Sequence, residues 1–422
     1  MSIALIDVNN FYASCEQVIN PSLRGHPLVI LSNNDGCIIA RNAEARSLGI
    51  AMGVPYFKAR QELEKLSIEV RSSNYELYGD MSQRLISLLR NYCEELEIYS
   101  IDEAFVQINR PASNNLYPWA SHLQALIYKN LGLPISIGIG ASKCQAKLAN
   151  YLAKIKDCHA GIFDIENTTN QEDCLESISI ENVWGVGRKL AYWYRLRGIN
   201  NARQLRDMPS NQLRIKHGIV GIRIQQELRG KTCLPICATP PPKRETCVSR
   251  SFGYPVTNIK DLRQAIACYV VCASEKLRRQ KQLASTITVF VRTSSYTTIF
   301  YSQSATKRLD IPTSDTAMLL SASLPLTKEI FKSDYPLMKA GVIMQGLLNN
   351  DYLQLTLSES HNSQDLSKKE RLMRTIDNLN KRYGNNTIKW AICGMNQSWR
   401  MRRKHLTAFT TTRLKDIPIV KA

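Results

Sequence analysis

The sequence predicts an α+β protein of several domains. Three observations carry that reading. The first 165 residues alternate in the order β-α-(insertion)-α-β-β-α-β-α, which suits an antiparallel sheet covered by helices. Residues 245–350 alternate strand, helix, strand, strand, helix, strand. Between the two lies Pro240-Pro241-Pro242-Lys243-Arg244, a run that favours extended polyproline geometry and acts as a semi-rigid spacer. With 422 residues, the chain has room for about two to four domains with proper cores.

The elements follow in order. The apolar run Ile3 to Ile6 reads as a buried strand with Asp7 at its end. Asn9 or Asn10 can cap a helix starting near Phe11, with apolar positions at Phe11, Cys15, Val18 and Ile19. In the insertion, Pro27 to Leu31 and Cys37 to Ala40 read as strands joined by a turn holding Asn34, Asp35 and Gly36. Arg41 to Ile50 reads as a short helix closed by Gly49. An amphipathic helix from Tyr75 to Cys93 leads to Glu97-Ile98-Tyr99-Ser100-Ile101-Asp102-Glu103-Ala104-Phe105-Val106-Gln107-Ile108, where two adjacent carboxylates interrupt strand-forming residues. Further on come a helix near Pro118 to Leu131, the strand Ile135 to Ile139, and a helix from its N-cap Ser142 to Lys154.

On that last helix Lys143, Lys147, Asn150 and Lys154 fall within about 60° of one another, a basic stripe opposite Leu148, Ala149 and Leu152. It reads either as a solvated lysine face or, with Gly138-Ile139-Gly140 as a turn before it, as a helix end aimed at a phosphate. In Val183-Trp184-Gly185-Val186-Gly187-Arg188-Lys189-Leu190, a Gly-x-Gly turn joins two short helices. Its glycines let backbone N–H groups approach a DNA phosphate, as in a helix-hairpin-helix. Beyond the linker, helices cover Leu262 to Gln280 and Ala317 to Phe331, and strands cover Ser285 to Arg292 and Lys339 to Leu347. Arg250, Arg292, Lys307 and Arg308 are expected to grip a nucleic-acid backbone from one sheet face, without reading bases. The last seventy residues, with Trp390, Trp399 and Arg400-Met401-Arg402-Arg403-Lys404, read as a flexible nucleic-acid tail or a docking arm.

A net charge of +19 and a pI near 9.4 suit a polyanionic partner. Twelve cysteines are scattered without a disulfide framework or a completed zinc set. No apolar run reaches membrane-spanning length and no signal peptide opens the chain. These features predict a cytosolic protein with reduced thiols.

An isolated Ser-Ile-Asp-Glu is ordinarily a solvated hairpin turn. The odds change because Asp7 also arrives at a strand end. Adjacent carboxylates repel, and desolvation raises the cost of ionising both, whereas a divalent cation removes that cost. Two magnesium ions about 4 Å apart stabilise both the attacking and the leaving oxygen of an in-line phosphoryl transfer. Arg41 and Arg46 are suited to a triphosphate or to solvent.

The combination of Asp7, Phe11-Tyr12, Ser100-Ile101-Asp102-Glu103 and Gly140-Ala141-Ser142-Lys143 resembles the Y family of translesion DNA polymerases. The loop Ser32 to Cys37 and the tail from Gly384 to Arg413 resemble one branch, the UmuC-type catalytic subunits of DNA polymerase V and their plasmid-borne relatives. The resemblance implies a right-hand polymerase: a βαββαβ-like palm (1–20 and 76–165), small fingers (21–75), a helical helix-hairpin-helix thumb (166–230), a linker (231–244), a βαββαβ little finger (245–350) and a partner-binding tail (351–422).

It further implies that Asp7, the Val8 carbonyl, Asp102 and Glu103 hold two Mg2+ ions, with the three carboxylates catalytic. Tyr12 matches the steric gate against a ribose 2′-hydroxyl, a position otherwise read as ordinary helix packing. Phe11, Arg46 and Lys154 match nucleotide-binding positions, whereas Ala43 stands where a triphosphate-binding Tyr is common. Gly185, Gly187, Arg188 and Lys189, read above as a phosphate-approaching turn, fall in the implied thumb as its candidate DNA contacts. Gln354, Leu355 and Leu357 resemble a sliding-clamp motif in which Ser358 replaces the usual aromatic. The implied activity is error-prone, template-directed addition of dNTP to a primer 3′-hydroxyl opposite damaged DNA, serving UV protection and mutagenesis in the SOS response. The implied partners are primer-template DNA, a processed UmuD-type dimer, RecA and the β clamp, at the nucleoid in a bacterial cytoplasm. Two rivals remain: a nucleotidyl cyclase, which needs no thumb or basic second domain, and a DNA- or clamp-binding accessory protein with an inactive palm.

Overall fold

A computed structural model describes residues 1–111, 113–155, 160–297, 299–350, 363–384, 386–408, 411, 412 and 416. It runs β1 (Ser2–Val8), α1 (Phe11–Ile19), β2 (Leu28–Leu31), β3 (Ile38–Arg41), α2 (Ala43–Ser47), α3 (Tyr56–Lys65), β4 (Glu69–Ser72), α4 (Tyr75–Arg90), β5 (Glu95–Ile98), β6 (Glu103–Ile108), α5 (Tyr117–Leu131), β7 (Ile135–Gly140), α6 (Lys143–Ile155) and β8 (Ile162–Asp164). Four helices follow: α7 (Gln171–Ser177), α8 (Arg188–Arg195), α9 (Ala202–Asp207) and α10 (Ser210–Leu228). Then come β9 (Thr246–Val256), α11 (Ile259–Arg279), β10 (Gln282–Thr293), β11 (Ser302–Thr313), α12 (Thr316–Ile330), β12 (Leu337–Asn349) and α13 (Ser363–Tyr383). Residues 1–32, 36–240 and 405 onward pack as one unit, and residues 33–35 and 241–404 as a second.

In the first unit β1 is buried along its whole length because it is central to a five-stranded sheet ordered β5-β6-β1-β7-β8. It is antiparallel to both β6 and β7, and its register sets Asp7 directly opposite Glu103. One face of the sheet packs under Phe11, Leu77 and Leu123 of α1, α4 and α5; α6 lies against β1 and β7 from the other side. The insertion forms its own sheet, β3-β2-β4, over a separate small core. Its β2–β3 turn places Asn34 and Asp35 at positive φ, as turn residues of this type tolerate. Helices α7 to α10 share a core with Leu148, Ala149 and Leu152 of α6.

Several local expectations change. Gly138 and Gly140 are strand residues of β7, not a turn. A Cβ at Gly138 would stand 2.0 Å from the Asn150 backbone nitrogen, so the missing side chain lets α6 close on the sheet. Asn10 occupies the N-cap of α1 in the left-handed region but makes no capping side-chain bond. The Gly185–Gly187 turn leads from a 3-10 turn at Ile180–Asn182 into α8, so it does not join two α-helices.

The second unit has the four-stranded antiparallel order β11-β10-β12-β9, with α11 and α12 packed over Ile287, Val289 and Val291. Registers decide which cations share a face. Arg292 pairs with Ser302 and Lys339, and Arg308 pairs with Thr286, on the face away from the helices. Lys307 opposes Ile287, and Arg250 opposes Ala340 beside Val291, so these two lie on the helix-covered face. The expected four-cation grip from one face is therefore corrected to Arg292 and Arg308, because neighbouring residues alternate across a strand.

The tail is not a free arm among the described residues. Trp399 and Cys393 are buried in the second unit's core, with the Trp399 ring edge-on to Phe252 and Tyr269. Asp377 of α13 accepts two bonds from Arg278. The clamp-like residues Gln354, Leu355 and Leu357 lie outside the described residues.

Candidate active site

Strand β1 delivers Asp7, and the turn between β5 and β6 delivers Asp102 and Glu103. The Val8 N–H donates to the Asp102 carbonyl at 3.0 Å, tying the strand end to the turn. Ser100 organises the turn: its hydroxyl lies 2.5 Å from Asp102 Oδ1, and its oxygen accepts from the Glu103 N–H at 3.1 Å.

Each carboxylate of the strand pair has a counter-charge from α6. Lys154 Nζ is 2.6 Å from Asp7 Oδ1. Lys147 Nζ lies 3.1 and 3.3 Å from the two oxygens of Glu103. Lys143 is buried against Glu97, 2.6 Å away, and donates to the Pro235 carbonyl. The lysine stripe is thus paired with acids of the sheet and its turn. The N-terminus of α6 is already taken: Ser142 caps Gln145 N, and the buried Glu227 carboxylate accepts from Cys144 N.

Asp7 is 8 % exposed, and its pKa is pushed up to about 7 by burial, which outweighs the opposing attraction of Lys154, with Glu103 adding to the rise. A carboxyl held this far above its ordinary value, with a second acid opposite it, suits a site whose cations are to be supplied by a ligand. Among the described residues no three carboxylate, Cys or His groups converge tightly enough to hold an ion as they stand. The donor set still fits a hard divalent cation: oxygen ligands on a strand end and an adjoining turn, now charge-balanced by Lys154 and Lys147.

Tyr12 stands on α1 beside Asp102, whose charge adds to the effect of burial and of Tyr75 in raising its pKa. Its ring stacks on Tyr78 at 4.6 Å and 18°, with Tyr75 edge-on at 6.0 Å. Phe11 is only 3 % exposed, and its ring packs in the core beside Tyr12 and Tyr78. Arg46 is exposed on α2. Gly185 takes φ +84, and a Cβ there would meet Ile224 at 2.6 Å; Gly187, Arg188 and Lys189 form an exposed helix start.

Sequence reasoning missed the aromatic surround of Lys147, whose ammonium lies 4.3 Å from the Tyr99 ring centroid and 5.9 Å from those of Phe105 and Trp184. The clustering of aromatics around Asp102-Glu103 was its one local signal. It also missed Glu16, 0 % exposed, which accepts from Tyr78 and Thr407.

The chain is similar to known proteins over nearly its full length. The impB/mucB/samB family matches residues 6–151 and its C-terminal domain matches 243–357; residues 370–420 match a domain of unknown function, DUF4113. Protein UmuC of Salmonella typhimurium is 39 % identical across 99 % of this chain and all of that protein. Protein MucB of Escherichia coli is 35 % identical over 99 % of both chains, and DNA polymerase IV 1 of Bacillus subtilis is 27 % identical over 91 % of this chain. A solved Y-family DNA polymerase chimera of Dbh and Dpo4 aligns with TM-score 0.65 at 22 % identity over 83 % of this chain and all of that one, and an insertion ternary complex of Dbh DNA polymerase aligns at 0.54 and 21 % over the same shares.

The fold is that of a right-hand DNA polymerase, and the family matches make the chain one of the Y family. Within it the chain belongs to the impB/mucB/samB family, the UmuC-type branch: a DNA-directed DNA polymerase of the error-prone, translesion kind that acts in the SOS response. The cyclase and accessory-protein readings fall with that membership. The relatives imply a divalent metal cofactor, and no described helix is long and apolar enough to cross a membrane.

Proposed function

We propose that Asp7, Asp102 and Glu103, with the Val8 carbonyl, hold two Mg2+ ions for transfer of a nucleotide from dNTP to a primer 3′-hydroxyl. The observation that carries this is the pairing of two of the three acids with lysine ammonium groups at a buried strand end. When bound, the ions would supply Lewis-acid stabilisation of the attacking and leaving oxygens. The chain's own residues do the rest. Ser100 holds Asp102 and the Glu103 backbone in place. Lys154 and Lys147, released from the acids, become free for phosphate oxygens, as a neutralised site requires. Tyr12 is the steric gate and Arg46 a triphosphate contact.

On this reading the five-stranded sheet is the palm (1–20 and 76–165), residues 21–75 the fingers, 166–230 the thumb, 231–244 the linker, 245–350 the little finger and 351–422 the partner-binding tail. Gly187, Arg188 and Lys189 present N–H groups and charge to DNA phosphates, with Arg292 and Arg308 adding the open sheet face. A processed UmuD-type dimer, RecA and, through Gln354, Leu355 and Leu357, the β clamp are the partners, in a bacterial cytoplasm.

The test is primer extension with Mg2+ across a template abasic site, with and without a UmuD-type partner and RecA, comparing wild type with Asp102→Asn. Wild type should extend and the variant should not, while binding DNA equally. Mn2+ binding followed by electron paramagnetic resonance should weaken in the variant. Retained extension by pure Asp102→Asn would refute the metal-site assignment.

A further inference from the structure

Residues 405–408 fall within the stretch matched by the domain of unknown function, yet they pack in the first unit, beside the aromatic stack that carries Tyr12. The segment is fixed at both ends of a short run. Ser72 N donates to the His405 carbonyl at 3.0 Å, and His405 N donates to Ser72 Oγ at 3.0 Å. Asn74 caps α4 through Leu77 N, and its amide also donates to Thr407 Oγ1 at 3.1 Å and to the Ala408 carbonyl. The Thr407 hydroxyl is therefore oriented: it accepts from Asn74 and donates to Glu16 Oε1 at 3.2 Å.

The same Glu16 oxygen accepts from the Tyr78 hydroxyl at 2.8 Å. Tyr78 is fully buried, and Tyr12 lies flat on it. A buried carboxylate needs its hydrogen-bond partners to stay in one rotamer, and the ring whose phenol it anchors is the surface on which Tyr12 rests. Small displacements of a positioning group are enough to change selectivity in an active site.

We propose that Thr407 is a positioning residue for sugar discrimination, acting through Glu16 and Tyr78 on the placement of the Tyr12 ring. The C-terminal segment thus takes part in excluding ribonucleotides. This rests on the reading of Tyr12 as the steric gate.

The experiment measures kcat/KM for matched ribo- and deoxyribonucleotides opposite the same undamaged template base, using the full chain with its protein partners. The variants are Thr407→Val, Thr407→Ser, Tyr78→Phe, Tyr12→Ala and the Tyr12→Ala/Thr407→Val double, each checked by thermal melting. Thr407→Val should lower the deoxyribose preference by about 3- to 10-fold, the scale of one lost hydrogen bond, with kcat for dNTP little changed. Thr407→Ser keeps the hydroxyl and should restore the preference, and in the Tyr12→Ala background Thr407→Val should add nothing. Should Thr407→Val fail to fold, Tyr78→Phe, which removes the same link from the other side, is expected to shift the preference in the same direction. If Tyr12→Ala relaxes sugar selectivity while neither Thr407→Val nor Tyr78→Phe does, the inference is overturned. If Thr407→Ser is as relaxed as Thr407→Val, the hydroxyl is not the positioning group and the inference is likewise overturned. If Tyr12→Ala itself leaves selectivity unchanged, the gate reading is the one that fails, and the positioning role fails with it.

Discussion

Glu16 shows what a buried charge costs and what it fixes. Burial raises its pKa above the free-carboxyl value of 4.5, against the lowering pull of Tyr78, Thr407 and Arg71. A carboxyl whose pKa rises on folding contributes most stability below 4.5 and loses it as pH climbs through the raised value. Glu16→Gln lacks this dependence, so its urea midpoint should gain on that of wild type as pH rises from about 4.5 to 7.5. A constant difference across that range would show that Glu16 does not titrate as argued. Asp7, Asp102 and Glu103 were legible because acids that interrupt a run of strand-forming residues are conspicuous in the sequence itself. Glu16, Glu97 and Glu227 were not, because partners such as Thr407 and Cys237 lie far along the chain.

Among the elements, α6 was read correctly as a helix with a basic stripe, and its cap at Ser142 holds. What faced the stripe was hidden, since periodicity identifies a face but not its neighbour. Here the neighbour is the acid cluster, reached because glycine in β7 permits close approach of helix and sheet. Gly138→Ala should therefore cost roughly 3 kcal/mol of stability or more, read from thermal or urea unfolding, and should loosen the Lys154–Asp7 and Lys147–Glu103 pairs together. Unfolding unchanged from wild type would mean that α6 can shift outward without cost. The Gly-x-Gly turn was legible as a turn, but the 3-10 entry to α8 was not, since a three-residue helix leaves no periodic trace.

For the molecule as a whole, the strand–helix alternation predicted the second unit's element order correctly, but not the register that sorts its cations. Arg292→Ala and Arg308→Ala should each weaken DNA binding and reduce the slope of log K against log salt by about 0.9 for every phosphate left unneutralised. Arg250→Ala and Lys307→Ala should leave that slope near wild type; equal effects for all four would undo the assignment of faces. Which of the two readings of the tail holds was not legible because its apolar residues are sparse: Trp399 and Cys393 are buried by surfaces that α11 and β9 supply.

The central place of β1 has a consequence during synthesis. Its neighbours β6 and β7 are encoded roughly 100 and 130 residues after it, and at about 5–20 residues per second the ribosome needs roughly 6 to 26 s to deliver both. Throughout that interval Ile3 to Ile6 is an apolar segment without its native pairing partners, open to capture by chaperones or by another nascent chain. The delay is set by wiring and not by composition. A variant in which the β1 segment is transposed to follow β8 directly should shorten the exposure and raise the soluble yield while leaving every strand pairing of the native sheet in place.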